Sequence, residues 1–104
     1  MQFLVTGYDG TDEKALDRRL AVRQYHIERN DELRDAGHLL YAVAILDQAD
    51  KMIGSCMIFE FDSREALNEW LKEEPYIIGN VWQKIEISPC RVGPSFAGRK
   101  TLQV

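Results

Sequence analysis

HLLYAVAILDQADKMIGSCMIFEF, residues 38–61, holds two apolar runs separated by the short polar insert DQADK at residues 47–51. Two β-rich runs joined by such an insert read as an antiparallel hairpin. Upstream lie a β-rich run over residues 2–8 and a long stretch that ends at Gly37; downstream lie an amphipathic segment and a further alternating run. The hairpin therefore sits at the centre of a β-α-β-β-α-β order, the split βαβ arrangement of ferredoxin-like proteins. The expected fold class is α+β, a four-stranded antiparallel sheet with two helices on one face.

The stretch before Gly37 is too long for anything but a helix, with Asp9-Gly10, Thr11 and Asp12 as the turn and cap that start it. At about 100° per residue, Asp17, Gln24, Glu28, Asp31, Glu32 and Asp35 fall on its outer arc, while Val22 and Leu33 flank one side of the inner arc and Leu16, Leu20 and Ile27 the other. Between those apolar shoulders runs a narrow stripe of Arg19, Arg23, His26 and Asn30, spaced four, three and four apart. A solvated face has no apolar borders, so the stripe reads as the wall of a pocket at the seam between helix and sheet. His26 is the group there able to take a proton near neutral pH, and the two guanidinium groups favour an anionic ligand or a developing oxyanion. The bland alternative pairs the arginines with the acidic side of their own helix and satisfies a buried His26 with a backbone carbonyl.

Asp62 with Glu65 resembles a capping pair, and Ala66, Leu67, Trp70 and Leu71 mark the second helix, which Pro75 ends. Glu73 and Glu74 then close that helix, where negative charge opposes the dipole and suggests a use other than stability. Residues 81–87 alternate, with Val81, Gln83, Ile85 and Ile87 on one face and Trp82, Lys84 and Glu86 on the other. Beyond residue 88, Pro89, Gly93, Pro94 and Gly98 suggest an irregular tail. One domain over residues 1–93 is expected, with residues 94–104 as a tail packing on a partner. The uncovered sheet face, with Tyr8, Trp82 and part of the residue 52–61 strand, calls for a homodimer that stacks sheet on sheet.

A net charge of −4 and a pI near 5.1 argue against nucleic acid or an anionic membrane as the partner. Met1 leads straight into QFLVTGY without a signal-peptide pattern, and no apolar run approaches the roughly 18 residues of a membrane span. Cys56 and Cys90 lack zinc spacing and disulfide density, so reduced thiols in a cytoplasmic protein are expected. A metal at His26, His38 and Glu74 is not demanded by their spacing, and neither metal nor cofactor is expected. Met52, Met57, Phe59 and Phe61 read as core or interface.

Three segments carry a family resemblance: RQYHIERNDELRDAGHLLYA, GSCMIFEFDSREALNEWL and EEPYIIGNVWQKIEISP. In order and spacing, from Phe3 to Gly93, they resemble the YCII-related (YciI-like) family of dimeric α/β ferredoxin-like barrels, related to muconolactone isomerase-like proteins. The resemblance implies a pocket in each subunit holding a helix histidine and the acid of an Asp-Pro-aromatic motif as a catalytic pair. His26 matches the histidine, Glu74 stands where the family usually has Asp, and Arg23, Ser55 and Tyr76 fall where the cavity would be lined. It further implies lyase or isomerase chemistry without a cofactor on a small cyclic or phenolic substrate, as in a relative that dehydrochlorinates a hydroquinone. The competing classes are a small-ligand-binding dimer or accessory subunit without catalysis, and a haem-binding barrel with His26 as axial ligand.

Overall fold

The computed structural model describes residues 1–96. The elements are β1 (Gln2–Asp9), α1 (Ala15–Asp35), β2 (Leu39–Leu46), β3 (Met52–Glu60), α2 (Arg64–Leu71), α3 (Pro75–Ile78) and β4 (Trp82–Cys90). The strands form one antiparallel sheet in the order β2-β3-β1-β4, the ferredoxin-like topology read from the sequence. The hairpin β2–β3 turns through Asp47, whose carboxylate accepts the N–H groups of Ala49 and Lys51, with Asp50 at φ 62°. Residues 97–104, which include most of the expected tail, lie outside the described part.

Alternation along β1 sets the core. Phe3, Val5, Gly7 and Asp9 point toward the helices and are buried. Their neighbours on β3, Phe59, Met57 and Ser55, are buried on the same side. Leu67, Trp70 and Leu71 of α2 close over this layer, as their spacing required. Each such fully buried side chain stabilises the fold by roughly 1.5–3 kcal/mol.

Four expectations are corrected. First, Trp82 does not lie on the open sheet face. The pairing of β1 with β4 shifts between Tyr8 and Asp9, so that Tyr8 faces Lys84 and Asp9 faces Trp82, with Gln83 as the extra residue. That bulge turns the indole under the helices, where it is only 4% exposed. Gly7 makes the room, since a Cβ there would sit 2.3 Å from the ring. Second, Ser63 and not Asp62 caps α2, its hydroxyl accepting the N–H of Ala66. Third, β4 continues past residue 87 to Cys90, because at a sheet edge Pro89 removes no needed donor. Fourth, Leu20 is exposed, and so is Arg23, which lines an open cleft whose β2 residues Ala42 and Ala44 are exposed as well.

The open sheet face carries Leu4, Thr6, Tyr8, Cys56, Ile58, Tyr41 and Val43, an apolar surface interrupted by Lys84 and Glu86. The Glu86 carboxylate raises the Tyr8 phenol above its usual range. Cys56 and Cys90 are free, and among the described residues no helix is long and apolar enough to cross a membrane.

Candidate functional site

The stripe on α1 resolves into three environments. Arg19 and His26 are buried, Asn30 is half-buried, and Arg23 lies at the exposed rim. With Ser55 and Tyr76 they line a cleft of about 140 Å³, whose far wall is Ala42, Ala44, Met52 and Met57.

Glu74 reaches His26, behind the cleft wall, because Pro75 begins a helix as well as ending one. Pro75 occupies the first position of α3, where its missing N–H costs nothing, and Glu74 is the N-cap, accepting the Tyr76 N–H at 3.2 Å. The charge that opposed the dipole at the end of α2 is therefore favourable at the start of α3. The same carboxylate oxygen, Oε1, meets Nδ1 of His26 in a close hydrogen bond, with Glu74 0% and His26 7% exposed. The second oxygen, Oε2, is buried without a partner.

A carboxylate accepts, so Nδ1 carries the proton and the lone pair of the neutral imidazole rests on Nε2. Asn30 Nδ2 lies 3.1 Å from that nitrogen. The imidazole stacks on the Tyr76 ring with centroids 3.9 Å apart and planes at 18°, and Trp82 meets it edge-on at 6.0 Å. Hydrogen bond, stack and edge contact together fix the ring in one orientation.

Arg19 is held differently from the expectation that it binds ligand. Its Nε donates to Asp9 at 2.7 Å and its Nη2 to the other Asp9 oxygen at 3.2 Å and to Ser55 Oγ at 2.8 Å. Its Nη1 donates to the Tyr76 hydroxyl at 3.3 Å, with the guanidinium 4.5 Å above the Tyr76 ring. The Asp9 charge thus neutralises Arg19 inside the fold. Asp9 is the functional-site residue that sequence reasoning missed, having been taken for a turn residue; its place two positions after Gly7, in the same alternation as Phe3 and Val5, was the available signal.

Ser55 accepts from Arg19 and, at 3.3 Å, from Trp82 Nε1. Both lone pairs are used, and only its O–H remains to donate. Burial raises the Tyr76 phenol above its usual value, with Arg19 and Arg23 opposing the shift, so that it stays protonated. Arg23 pairs with no acid among the described residues and is the free cation at the cleft mouth. A second groove of about 380 Å³ between α1 and α2 is rimmed by Glu69, Lys72 and Glu73, exposed charges that engage one another or Arg29.

Among the described residues no three His, Cys, Asp or Glu side chains converge as metal ligands. His38 Nδ1 donates to the Glu60 carbonyl and the ring stacks on Phe61, away from this cleft. Haem does not fit beside His26: the cleft, at about 140 Å³, is small against the ~300–1,000 Å³ of ordinary ligand sites.

Fold and cleft together define a ferredoxin-like α+β protein that holds a buried histidine–carboxylate pair between its long helix and its sheet. Residues 1–91 match the YCII-related domain, and the chain belongs to that family. Protein YciI of Escherichia coli is 33% identical over 95 residues, covering 86% of this chain and 95% of that one. An uncharacterised Haemophilus influenzae protein is 31% identical over 80 residues, covering 71% and 82%. Among solved structures, a 5-chloro-2-hydroxyhydroquinone dehydrochlorinase from Burkholderia phenoliruptrix, in complex with 2,5-dihydroxybenzoquinone, superposes with a TM-score of 0.77 at 17% identity, covering 91% and 98% of the two chains. A dimeric ferredoxin-like protein from Jannaschia superposes at 0.54 with 11% identity, covering 88% and 98%.

Proposed function

We propose that this protein is a cofactor-independent enzyme of lyase or isomerase type that uses His26 as general base on a small phenolic or cyclic substrate. The observation that carries the reading is the buried His26–Glu74 pair, which presents a basic Nε2 at a cleft also lined by Ser55, Tyr76 and Arg23. Glu74 holds the imidazole in one tautomer and stabilises the imidazolium formed when Nε2 takes a proton. The Ser55 O–H and the Arg23 guanidinium face the oxygen where charge develops. Arg19 acts through others, holding Ser55 and Tyr76 in place.

A chlorinated hydroquinone suits this arrangement, the substrate class being that in the name of the Burkholderia structure. One ring hydroxyl gives its proton to Nε2, which returns it to the carbon bearing chlorine as that hydroxyl becomes a carbonyl; a second ring hydroxyl then gives its proton to Nε2, and its electron pair, passed through the ring, expels chlorine as chloride with its bonding pair. The net change is loss of HCl, with no oxidant or reductant. The working unit is a homodimer joined through the open sheet faces, as supported by the apolar surface of Leu4, Tyr8, Ile58, Tyr41 and Val43 and by the dimeric description of the Jannaschia protein.

A second reading is a ligand-binding dimer or accessory subunit without catalysis, and the small volume of the cleft favours it. Chloride release from 5-chloro-2-hydroxyhydroquinone separates the two. The enzyme reading expects release by the wild type and a fall of ~10²- to 10⁴-fold in His26→Ala. Equal turnover in His26→Ala overturns it, and binding by calorimetry without turnover selects the second reading.

A further inference from the structure

We propose that Asn30 is a positioning residue for His26: its side-chain N–H holds the Nε2 lone pair, keeps the ring as the Nδ1–H tautomer, and masks the base until a ligand hydroxyl takes its place. The inference rests on the reading of His26 as base and concerns how that base is kept ready.

Asn30 follows His26 by one helical turn on α1, which puts the two side chains on one face. Nδ2 stands 3.1 Å from Nε2, and Nε2 has no other hydrogen-bond partner among the described residues. Since Nδ1 faces a carboxylate and must donate, Nε2 of the neutral ring must accept, and the amide has to present its N–H. The amide oxygen, Oδ1, is buried and makes no hydrogen bond. Nothing but His26 therefore dictates which way the amide faces. The charged and titratable groups around the ring are Glu74 and Tyr76 from the α3 segment and Arg19, paired with Asp9 of β1, and Arg23 from α1; none supplies a donor to Nε2. Asn30 also lines the cleft, so a substrate O–H approaching Nε2 competes with its N–H for one lone pair.

The chain has two histidines, so a His38→Gln background leaves His26 as the single imidazole signal. Nitrogen-15 NMR of that protein at about pH 8 is expected to show Nδ1 protonated and Nε2 bare. In Asn30→Ala in the same background the Nε2 resonance is expected to move downfield, because the hydrogen bond to its lone pair is lost. A protonated Nε2 in the ring with Asn30 present, or an Nε2 resonance that Asn30→Ala leaves in place, overturns the proposal. The tautomer measurement needs no substitution at Asn30 and stands even where that variant folds poorly. Neither readout uses a substrate, so failure of the catalytic reading, seen as unchanged chloride release in His26→Ala, is distinguishable from failure of this one.

Discussion

Replacing Asp9 with Ala isolates a guanidinium that has no route to water. Arg19 is 2% exposed, and its two bonds to Asp9, at 2.7 and 3.2 Å, are its only contacts with negative charge among the described residues. What remains are the neutral oxygens of Ser55 and Tyr76. Removing one partner of a buried pair typically costs ~3–5 kcal/mol, because the surviving charge is desolvated without compensation. That is a large share of the 5–15 kcal/mol by which domains of this kind are typically stable, roughly speaking. Urea unfolding at fixed protein concentration reads it directly: with a slope on the order of 1–3 kcal/mol per M, the midpoint is expected to fall by about 1 M or more. The double variant Asp9→Ala/Arg19→Met, which leaves no stranded charge, is expected to recover much of the loss. A loss below about 1 kcal/mol in Asp9→Ala, against that expected range, would refute the reasoning, since Arg19 would then have access to solvent or ligand and be free for the binding role its place in the stripe suggested.

Gly7→Ala drives a Cβ to within 2.3–2.6 Å of the Trp82 ring and is expected to destabilise by ~1–3 kcal/mol with altered near-ultraviolet dichroism; wild-type stability would show that the indole has room to move. Arg23→Ala, at an exposed position, is expected to weaken benzoate binding severalfold in calorimetry while leaving the melting temperature unchanged, and equal affinity would remove Arg23 from the ligand site. The Tyr76 phenol is raised from 10.0 by burial, so the stability tied to its neutral form is complete below that value and is lost as pH rises above it, when the unfolded chain ionises first. Alkaline titration of unfolding should show this loss in the wild type and a smaller one in Tyr76→Phe.

Much of this architecture was legible because periodicity is strong where burial is one-sided. The hairpin, the long helix and the α2 face of Leu67, Trp70 and Leu71 all follow from spacing. Trp82 was misplaced because alternation assumes an unbroken ladder, and a bulge at Gln83 leaves no mark in composition. The histidine stripe was legible as a bordered polar row, but not which members are free. Arg19 and Arg23 are chemically alike in sequence; only the strand residue Asp9, ten positions from Arg19 in the chain, separates a neutralised guanidinium from an available one. Glu74 was found through its proline, yet its role as a cap depends on a single-turn helix too short for any periodic signal.

The pairing of His26 with Glu74 is tested most directly by kcat and kcat/KM for chloride release, measured across pH in Glu74→Gln. The amide is nearly the same size but carries no charge to orient and stabilise the imidazolium. The expected result is a kcat at least about tenfold lower, with KM little changed and the acidic limb of the profile displaced. A kcat within about twofold of wild type and an unmoved profile, against the tenfold-or-greater contribution typical of positioned acid–base groups, would contradict the account.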